Sequence, residues 1–199
     1  MLRRLGAVLL LLALAGGCVP ESENPLSDPA AAKADPRLSG HWIGRLGDAD
    51  TDSHLHFVPR PGGMTEVLLV AEAPADNATD GGWAAYRFFP SHLGGRDYMN
   101  LRLLTMDGKP PGPDGDNYLL CRYAIDGQGR LTVWRLAQQP ALAAVEAGAV
   151  AGRVEKGRYV ADVVLTAATP DLAAFVAGAD AEALFATLVG TFAPAAGGR

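Results

Sequence analysis

From Leu38 onwards the chain repeats one pattern, in which a short segment rich in β-branched, aromatic and leucine residues is followed by a break rich in Gly, Pro, Asp or Asn. Short runs of this kind that are bounded by turn residues predict β-strands, because each run is too brief for a stable helix. The segments with strand character cover residues 40–46, 54–58, 65–72, 83–89, 98–105, 118–125, 131–136 and 159–167. This recurrence predicts a mainly β fold.

The pattern within the strands also indicates how the sheet is organised. Apolar and polar residues alternate in Leu101-Arg-Leu103 and again over residues 131–136, as expected of antiparallel strands with one face in water. The run Asp126-Gly-Gln-Gly-Arg130 predicts a hairpin connection. Because about eight strands in one small domain must protect their sheet edges, we predict an antiparallel barrel or a strongly curved sheet, with a sandwich as the alternative.

Helical signals are concentrated towards the C-terminus. The predicted helices cover residues 140–147, 169–178 and 181–188. Thr169-Pro-Asp171 combines a cap, a proline in the first turn and an acidic residue at the positive end, and Asp180 caps the last helix. Leu184, Phe185 and Leu188 would share one apolar face. We expect these short helices to cover a sheet edge or one end of the barrel.

The N-terminus has the features of an export signal. Arg3 and Arg4 precede an apolar run over residues 5–15, and the small residues Gly16 and Gly17 follow. A positive start, a short apolar core and a small-residue cleavage site are typical of a signal peptide. The apolar run is too short for a membrane-spanning helix, which needs about 20 residues.

The next residues, Ala15-Gly-Gly-Cys18, resemble the lipobox of bacterial lipoproteins, although that family usually has Leu at the first place. The resemblance implies cleavage before Cys18, a diacylglycerol on its thiol and an acyl chain on its new amino group. Two or more acyl chains hold a protein stably on a membrane. In bacterial lipoproteins an Asp directly after the lipidated Cys resembles a signal for retention in the inner membrane. Val19 stands at that position instead, so the resemblance favours the outer membrane. The alternative is an ordinary secretory signal in which Cys18 is incidental.

These features predict the organisation of the whole chain. Residues 1–17 form the signal peptide, 18–37 a lipidated flexible tether, 38–194 one β-rich globular domain and 195–199 a disordered tail. The mature chain has 15 basic and 22 acidic side chains, a formal charge of −7. This balance lacks the basic footprint of a nucleic-acid-binding protein. We expect the membrane to be a partner through the lipid anchor, together with a small apolar ligand or an envelope protein.

Gly40-His-Trp42 lies at the start of the first strand of the domain. It resembles the Gly-x-Trp signature of lipocalins and lipocalin-like domains, and Asp116-Asn-Tyr118 echoes their Thr-Asp-Tyr motif. The resemblance implies a ligand-binding barrel in which the Trp closes one end and packs against an Arg of a late strand, here Arg122 or Arg135. The chain also resembles a group of uncharacterised bacterial envelope lipoproteins, which implies no activity. Trp42 as a plain core aromatic is the alternative.

Asp52, His54 and His56 form the densest group of metal-ligating residue types. On a strand these alternating residues share one face, and two His with one carboxylate could ligate Zn²⁺ or another transition metal. The plainer interpretation is that the residues between them enter the core and the histidines face water. That interpretation is favoured because HExxH, CxxC and a second His pair are absent and because His41 and His92 are isolated in the sequence.

Signals for other chemistry are sparse. The sequence lacks the Gly-x-Ser-x-Gly and Ser-x-x-Lys motifs and any phosphate loop. Cys121 is the one thiol left once Cys18 is lipidated, so an internal disulfide is excluded, and its strand-like surroundings favour a buried structural thiol. We predict no cofactor apart from the covalent lipid on Cys18, and we favour a non-enzymatic role.

Three functional hypotheses follow. The leading one is a lipid-anchored envelope protein that binds a small apolar or amphipathic ligand in a lipocalin-like barrel. Its candidate lining residues are Trp42, Trp83, Tyr86, Phe88 and Trp134. The first alternative is a protein-interaction module in envelope assembly or regulation, which predicts a filled core and an exposed apolar patch. The second alternative is a metal-binding or hydrolytic site at His54 and His56.

Overall fold

The computed structural model describes residues 19–74, 81–112, 116–156 and 161–195. The predicted signal peptide, the predicted lipid-attachment residue Cys18 and most of the predicted tail lie outside the described residues. The strands of the described part are β1 Glu21–Ser22, β2 Gly40–Leu46, β3 Ser53–Pro59, β4 Thr65–Ala71, β5 Gly82–Leu93, β6 Arg96–Met106, β7 Tyr118–Ile125, β8 Leu131–Arg135, β9 Gly152–Lys156, β10 Ala161–Leu165 and β11 Thr187–Pro194. Its α-helices are α1 Gln138–Glu146, α2 Thr169–Gly178 and α3 Ala181–Leu184.

Eight strands form a closed antiparallel barrel. Strands β2 to β8 pair in sequence order, and β11 pairs with both β8 and β2, which closes the cylinder. Phe192 of β11 therefore lies opposite Gly44 on one side and Leu131 on the other. The prediction of a mainly β barrel is confirmed. The exposed sheet edges are removed by closure of the strands and not by the stacking of two sheets.

Alternation along the strands separates the barrel interior from its outer surface. On β4 the side chains of Val67, Leu69 and Ala71 are buried in the interior cluster, whereas Leu68 between them is exposed. Gly44 is needed in this interior because a Cβ at that position would lie 2.8 Å from Cδ1 of Phe192. The absence of a side chain thus allows the Phe192 ring to pack across the closing strand pair.

A second apolar core lies outside the barrel wall. Strands β1, β10 and β9 extend the sheet from the edge of β7, with β1 parallel to β10 and the other pairs antiparallel. Leu172 of α2 and Phe185 after α3 are fully buried there with Tyr98 and Leu120 of the barrel strands. The helices therefore cover one side of the barrel. No helix of the described part is both long and apolar enough to cross a bilayer.

The segment predicted to be a flexible tether is packed over its described part, and the prediction is corrected there. Glu21 and Ser22 pair with β7 and β10, and Leu26 is 1 % exposed in the second core. Two short 3₁₀ turns, Pro29–Ala31 and Pro36–Leu38, are capped by aspartate side chains at their N-termini. The Pro- and Ala-rich composition suggested disorder, but buried apolar contacts and local caps order this segment.

Two predictions near the C-terminus also require correction. Residues 187–194 form the last barrel strand, although residues 181–188 were predicted to be one helix; α3 ends at Leu184. Leu188 is 43 % exposed and does not share a buried face with Leu184 and Phe185. The segment predicted over residues 159–167 contains β10, but β10 belongs to the outer extension and not to the barrel. In β11, pairing with β2 and β8 overrides the local helical pattern that predicted a helix over residues 181–188.

Candidate functional site

One end of the barrel interior is closed by aromatic side chains. The indole Nε1 of Trp42 donates a hydrogen bond of 2.8 Å to the backbone oxygen of Leu38. This bond holds the 3₁₀ turn Pro36–Leu38 across this end of the barrel. Phe57 and Phe88 pack edge to face beside it, with ring centroids 5.8 Å apart. Trp42 is therefore a core residue at one end of the barrel.

A cavity of about 70 Å³ lies in the barrel interior. The residues that line it are Leu46, Leu55, Phe57, Val67, Leu69, Tyr86, Met99, Leu101, Leu119, Cys121, Val133, Val189 and Phe192. The surface that they expose to it is apolar. The hydroxyl of Tyr86 is buried and has no hydrogen-bond partner among the described residues. This apolar space, which Tyr86 borders with its ring and whose unsatisfied hydroxyl lies buried nearby, is the candidate ligand site.

The ionisable groups of this cavity are kept neutral. Burial raises the pKa of the Cys121 thiol to about 12, and burial likewise raises the pKa of the Tyr86 hydroxyl well above its usual range. Cys121 is a buried free thiol, as predicted. Because both groups stay protonated at neutral pH, the cavity offers no charge to a ligand, and it favours an uncharged, apolar occupant.

The five aromatic residues proposed as cavity lining occupy four different environments. Tyr86 lines the cavity, whereas Trp42 and Phe88 are buried in the interior cluster without bordering it. Trp83 is 37 % exposed on the outer surface, and Trp134 packs against the second core outside the barrel. The placement of these two residues is corrected. Trp83 and Tyr86 are an odd number of residues apart on one strand, so they face opposite sides.

The two arginines that the lipocalin resemblance associates with Trp42 lie elsewhere. The guanidinium of Arg122 lies over the ring of Trp134, 4.1 Å from its centroid, and makes two hydrogen bonds of 2.8 and 3.0 Å to the carboxylate of Glu182. Arg135 pairs with Thr187 at the start of β11, whereas Trp42 pairs with the last residue of that strand. The expected packing of an arginine on Trp42 is therefore corrected: the barrel is capped by Leu38 instead.

Three of the four histidines, His41, His54 and His56, form a cluster on the outer surface. The backbone register pairs His41 with His56 and places His54 diagonally beside them. Nε2 of His41 lies 3.0 Å from Nδ1 of His54, and Nε2 of His54 lies 2.8 Å from a carboxylate oxygen of Glu72. His41 was predicted to be isolated, which is corrected. The hairpin register between β2 and β3 was the signal that could have found it.

Asp52 does not join these histidines. Its carboxylate faces Arg45, with 3.8 Å between the charged atoms. Among the described residues no group of three or more His, Cys, Asp or Glu side chains is arranged to hold a metal ion. The structure thus brings together His54 and His56 but adds His41 and Glu72, which the sequence analysis missed.

A polar pocket of about 370 Å³ separates the N-terminal segment from the barrel rim. Arg37 bridges the carboxylates of Asp35 and Asp97 at 2.6 and 2.7 Å, and His92 lies 2.8 Å from Asp97. The hydroxyl of Tyr123 donates a hydrogen bond of 2.8 Å to Asp35. The charged groups that line the pocket are paired with one another. Their ionic contacts hold the N-terminal segment against the barrel.

Comparison of the chain with models of protein families, with curated proteins and with solved structures found no match. The fold itself is an eight-stranded antiparallel barrel, which is compatible with a lipocalin-like ligand-binding domain.

Proposed function

We propose that this chain is a lipid-anchored, non-enzymatic protein of the bacterial envelope whose barrel binds a small apolar or amphipathic ligand. The observation that carries the proposal is the apolar interior cavity, together with the unpartnered hydroxyl of Tyr86. A buried hydroxyl without a partner costs about 1–3 kcal/mol, and a ligand oxygen would relieve that cost. The site therefore favours a hydrocarbon that carries one hydrogen-bond acceptor.

The size of the cavity restricts the shape of the ligand. Pockets for drug-sized ligands usually measure about 300–1,000 Å³, whereas this one measures about 70 Å³. This space holds only a few methylene groups, so it suits part of an alkyl chain better than a ring system, and a longer chain requires neighbouring side chains to move. Met99 lines the cavity, and an unbranched thioether side chain adapts easily to a longer occupant. Uncharged or weakly polar long-chain acyl compounds are thus the proposed ligand class.

The lipid anchor on Cys18 would hold this barrel close to the membrane. Val19, the next residue, packs against the interior cluster, and Pro20 is buried. With an ordered N-terminal segment, an acylated Cys18 would stand beside the domain without a long linker. Acyl compounds in the outer membrane would then be within short reach of the barrel.

Native mass spectrometry of residues 19–199 tests the ligand proposal. The protein would be exported to the periplasm without the lipid site, purified gently and weighed before and after denaturation. We expect a mass excess of one acyl compound that denaturation removes, and uptake of added methyl palmitate, an uncharged ester referred to below as palmitate, by the ligand-free protein. Folded protein that arrives bare and takes up no palmitate would contradict the proposal.

Two matched variants locate the bound ligand. Val133→Phe adds a ring to the cavity, whereas Thr132→Phe adds the same ring to the outer surface of the same strand. Loss of palmitate uptake in the first variant alone supports binding in the barrel. Circular dichroism would establish that both variants are folded, and equal uptake by both would place the ligand elsewhere.

A second candidate function, protein interaction, is favoured by an apolar patch on the outer surface of strands β4 to β6. Leu68, Trp83 and Leu104 are each more than a third exposed, and the register places Leu68 opposite Ala85 and Trp83 opposite Val70. Exposed apolar patches commonly mark interaction sites. Crosslinking in intact cells tests this function: Trp83→Ser would abolish a specific crosslink to an envelope protein while palmitate uptake stays unchanged.

A further inference from the structure

The histidine cluster contains two nitrogen atoms at a spacing that suits a shared metal ion. Nε2 of His41 and Nδ1 of His54 are 3.0 Å apart. Two imidazole nitrogens bound to one ion at about 2.0–2.1 Å are separated by about 2.9–3.4 Å, depending on whether the angle at the metal is square-planar or tetrahedral. The observed distance falls in that range and is also that of a hydrogen bond between the two rings.

Glu72 sets the orientation of His54. Its carboxylate accepts a hydrogen bond from Nε2 of His54 at 2.8 Å, so the proton of the neutral ring resides on Nε2. The lone pair of Nδ1 is then directed towards His41. A carboxylate bound to the outer nitrogen of a histidine is the arrangement that orients metal-ligating histidines in proteins.

We propose that His41 Nε2 and His54 Nδ1 bind a late first-row divalent transition metal ion, such as Cu²⁺ or Zn²⁺, on the outer surface of the barrel. Glu72 acts as the positioning residue for His54, and water completes the coordination. The proton on Nε2 of His41 moves through solvent to Nδ1 of the same ring, so both ligands bind as neutral imidazoles. The two nitrogens now point at each other, with ring centroids 5.2 Å apart. Each ring must therefore turn by about 40° for both lone pairs to converge on an ion at the usual bond length, and partial exposure of His54 leaves room for this movement.

His56 and Asp52 are excluded from the ligand set by their geometry. The ring of His56 is stacked on that of His41, with centroids 4.1 Å apart and planes within 13°. Because nitrogen lone pairs lie in the ring plane, a ring stacked in this way does not direct a nitrogen at an ion that lies in the His41 plane. Asp52 faces Arg45. Two protein ligands, fewer than the three or four that hold zinc in catalytic and structural sites, predict a dissociation constant in the micromolar range.

The cluster is flanked mainly by apolar side chains. On the outer surface, Ile43 on β2 and Leu68 and Val70 on β4 flank the cluster, and Glu72 is the carboxylate that contacts it. A neutral imidazole is the form that binds metal.

Titration of the metal-free, processed chain with Cu²⁺ and Zn²⁺ tests this site. Calorimetry should give one saturable site with tighter binding of Cu²⁺, as the usual order of metal affinities predicts. Electron paramagnetic resonance of the Cu²⁺ form should show coupling to two imidazole nitrogens. Binding that does not saturate, or a spectrum with oxygen ligands alone, would overturn the proposal.

Variants of the cluster distinguish the proposed ligands from their neighbours. His41→Ala and His54→Ala should each lower Cu²⁺ affinity more than tenfold, and Glu72→Gln should lower it about 10–100-fold by releasing the orientation of His54. His56→Ala and Asp52→Asn are the matched controls and should change affinity less than threefold. Affinity that falls in the controls but persists in His41→Ala would overturn the assignment.

The proposed metal site and the proposed ligand cavity can be tested independently of each other. All variants of the cluster lie on the outer surface, so palmitate uptake reports on their folding as well as on the cavity. Retained uptake with lost metal binding supports the proposed ligands. Wild-type protein that takes up palmitate but binds no metal ion would overturn the metal site alone.

Discussion

The backbone nitrogen of Leu26 donates a buried hydrogen bond of 2.7 Å to Oδ1 of Asn100 on β6. The amide nitrogen of Asn100 donates in turn to the backbone oxygen of Phe89 at 3.1 Å and to the hydroxyl of Ser91 at 2.8 Å. One fully buried side chain therefore satisfies groups on the N-terminal segment and on β5 together. This contact explains why a segment of tether-like composition is held against the barrel wall.

Asn100→Ala should destabilise the protein by about 2–3 kcal/mol, because it leaves the Leu26 nitrogen and the Phe89 oxygen buried without partners. Urea unfolding at neutral pH measures the change in the free energy of unfolding. Gln128→Ala, in an exposed turn, is the control and should stay within about 0.5 kcal/mol of the wild type. Equal stabilities of the two variants would show that Asn100 does not anchor the segment.

Gly44→Ala should destabilise the closing strand pair by about 2–3 kcal/mol, since the added methyl group would overlap the backbone oxygen of Thr191 and crowd Phe192. Gly178→Ala is the matched control, because a Cβ there meets nothing within 4 Å at the end of α2. That change should be neutral or stabilise by up to about 1 kcal/mol. Thermal melting compares the two. A Gly44→Ala variant as stable as Gly178→Ala would contradict the described packing of β11.

Tyr86→Phe should stabilise the ligand-free protein by about 1–2 kcal/mol, because it removes a buried hydroxyl that lacks a partner. The same change should weaken palmitate uptake if the ligand oxygen bonds to that hydroxyl. Denaturant unfolding and palmitate titration measure the two effects. Tyr123→Phe is the contrasting variant: its hydroxyl is bonded to Asp35, so its loss should destabilise. A destabilised Tyr86→Phe protein would mean that the hydroxyl has a partner in solution.

Asp35 should make the protein sensitive to acid. Burial alone would raise the pKa of its carboxyl group, but hydrogen bonds from Arg37 and Tyr123 outweigh that effect and lower the pKa below its ordinary value. A carboxylate with a lowered pKa contributes stability above the unfolded value, near 4, and the contribution is lost as the pH falls through the folded value. Asp35→Asn should therefore cost about 1.5–3 kcal/mol at pH 7.

Urea unfolding between pH 2 and pH 7 checks the Asp35 prediction. The stability difference between the wild type and Asp35→Asn should shrink as the pH falls below about 4, because protonated Asp and Asn are then nearly equivalent. Asp50→Asn, in the exposed loop between β2 and β3, is the control. A difference that stays constant over the whole range would contradict the pairing of Asp35 with Arg37 and Tyr123.

Local sequence patterns predicted the first seven barrel strands, because alternation and turn residues act over a few positions. The eighth strand was missed. Thr187–Pro194 follows a capped helix and includes Leu188, which completed a helical spacing with Leu184. Only pairing with residues 42–46, far away in the chain, makes this segment a strand. Such long-range pairing has no local signature.

The site was predicted less completely than the fold. Of the proposed lining residues Tyr86 borders the cavity, whereas the apolar residues around it, such as Met99 and Val189, carry no signal beyond strand membership. The parity of positions on β5 already excludes Trp83 from the interior. His41 joined His54 through the register of the β2–β3 hairpin, which requires the connection between the strands to be known.

By itself the sequence determined that this chain forms a mainly β fold of antiparallel strands with a few short helices, because strand alternation and turn chemistry are properties of neighbouring residues. Tertiary structure alone decided that β11 closes the barrel, that the N-terminal segment is packed, that a narrow cavity surrounds Tyr86, and that His41 meets His54. Each of these depends on the register between segments that are distant in the chain. A shift of one residue there would exchange the inner and outer faces of a strand.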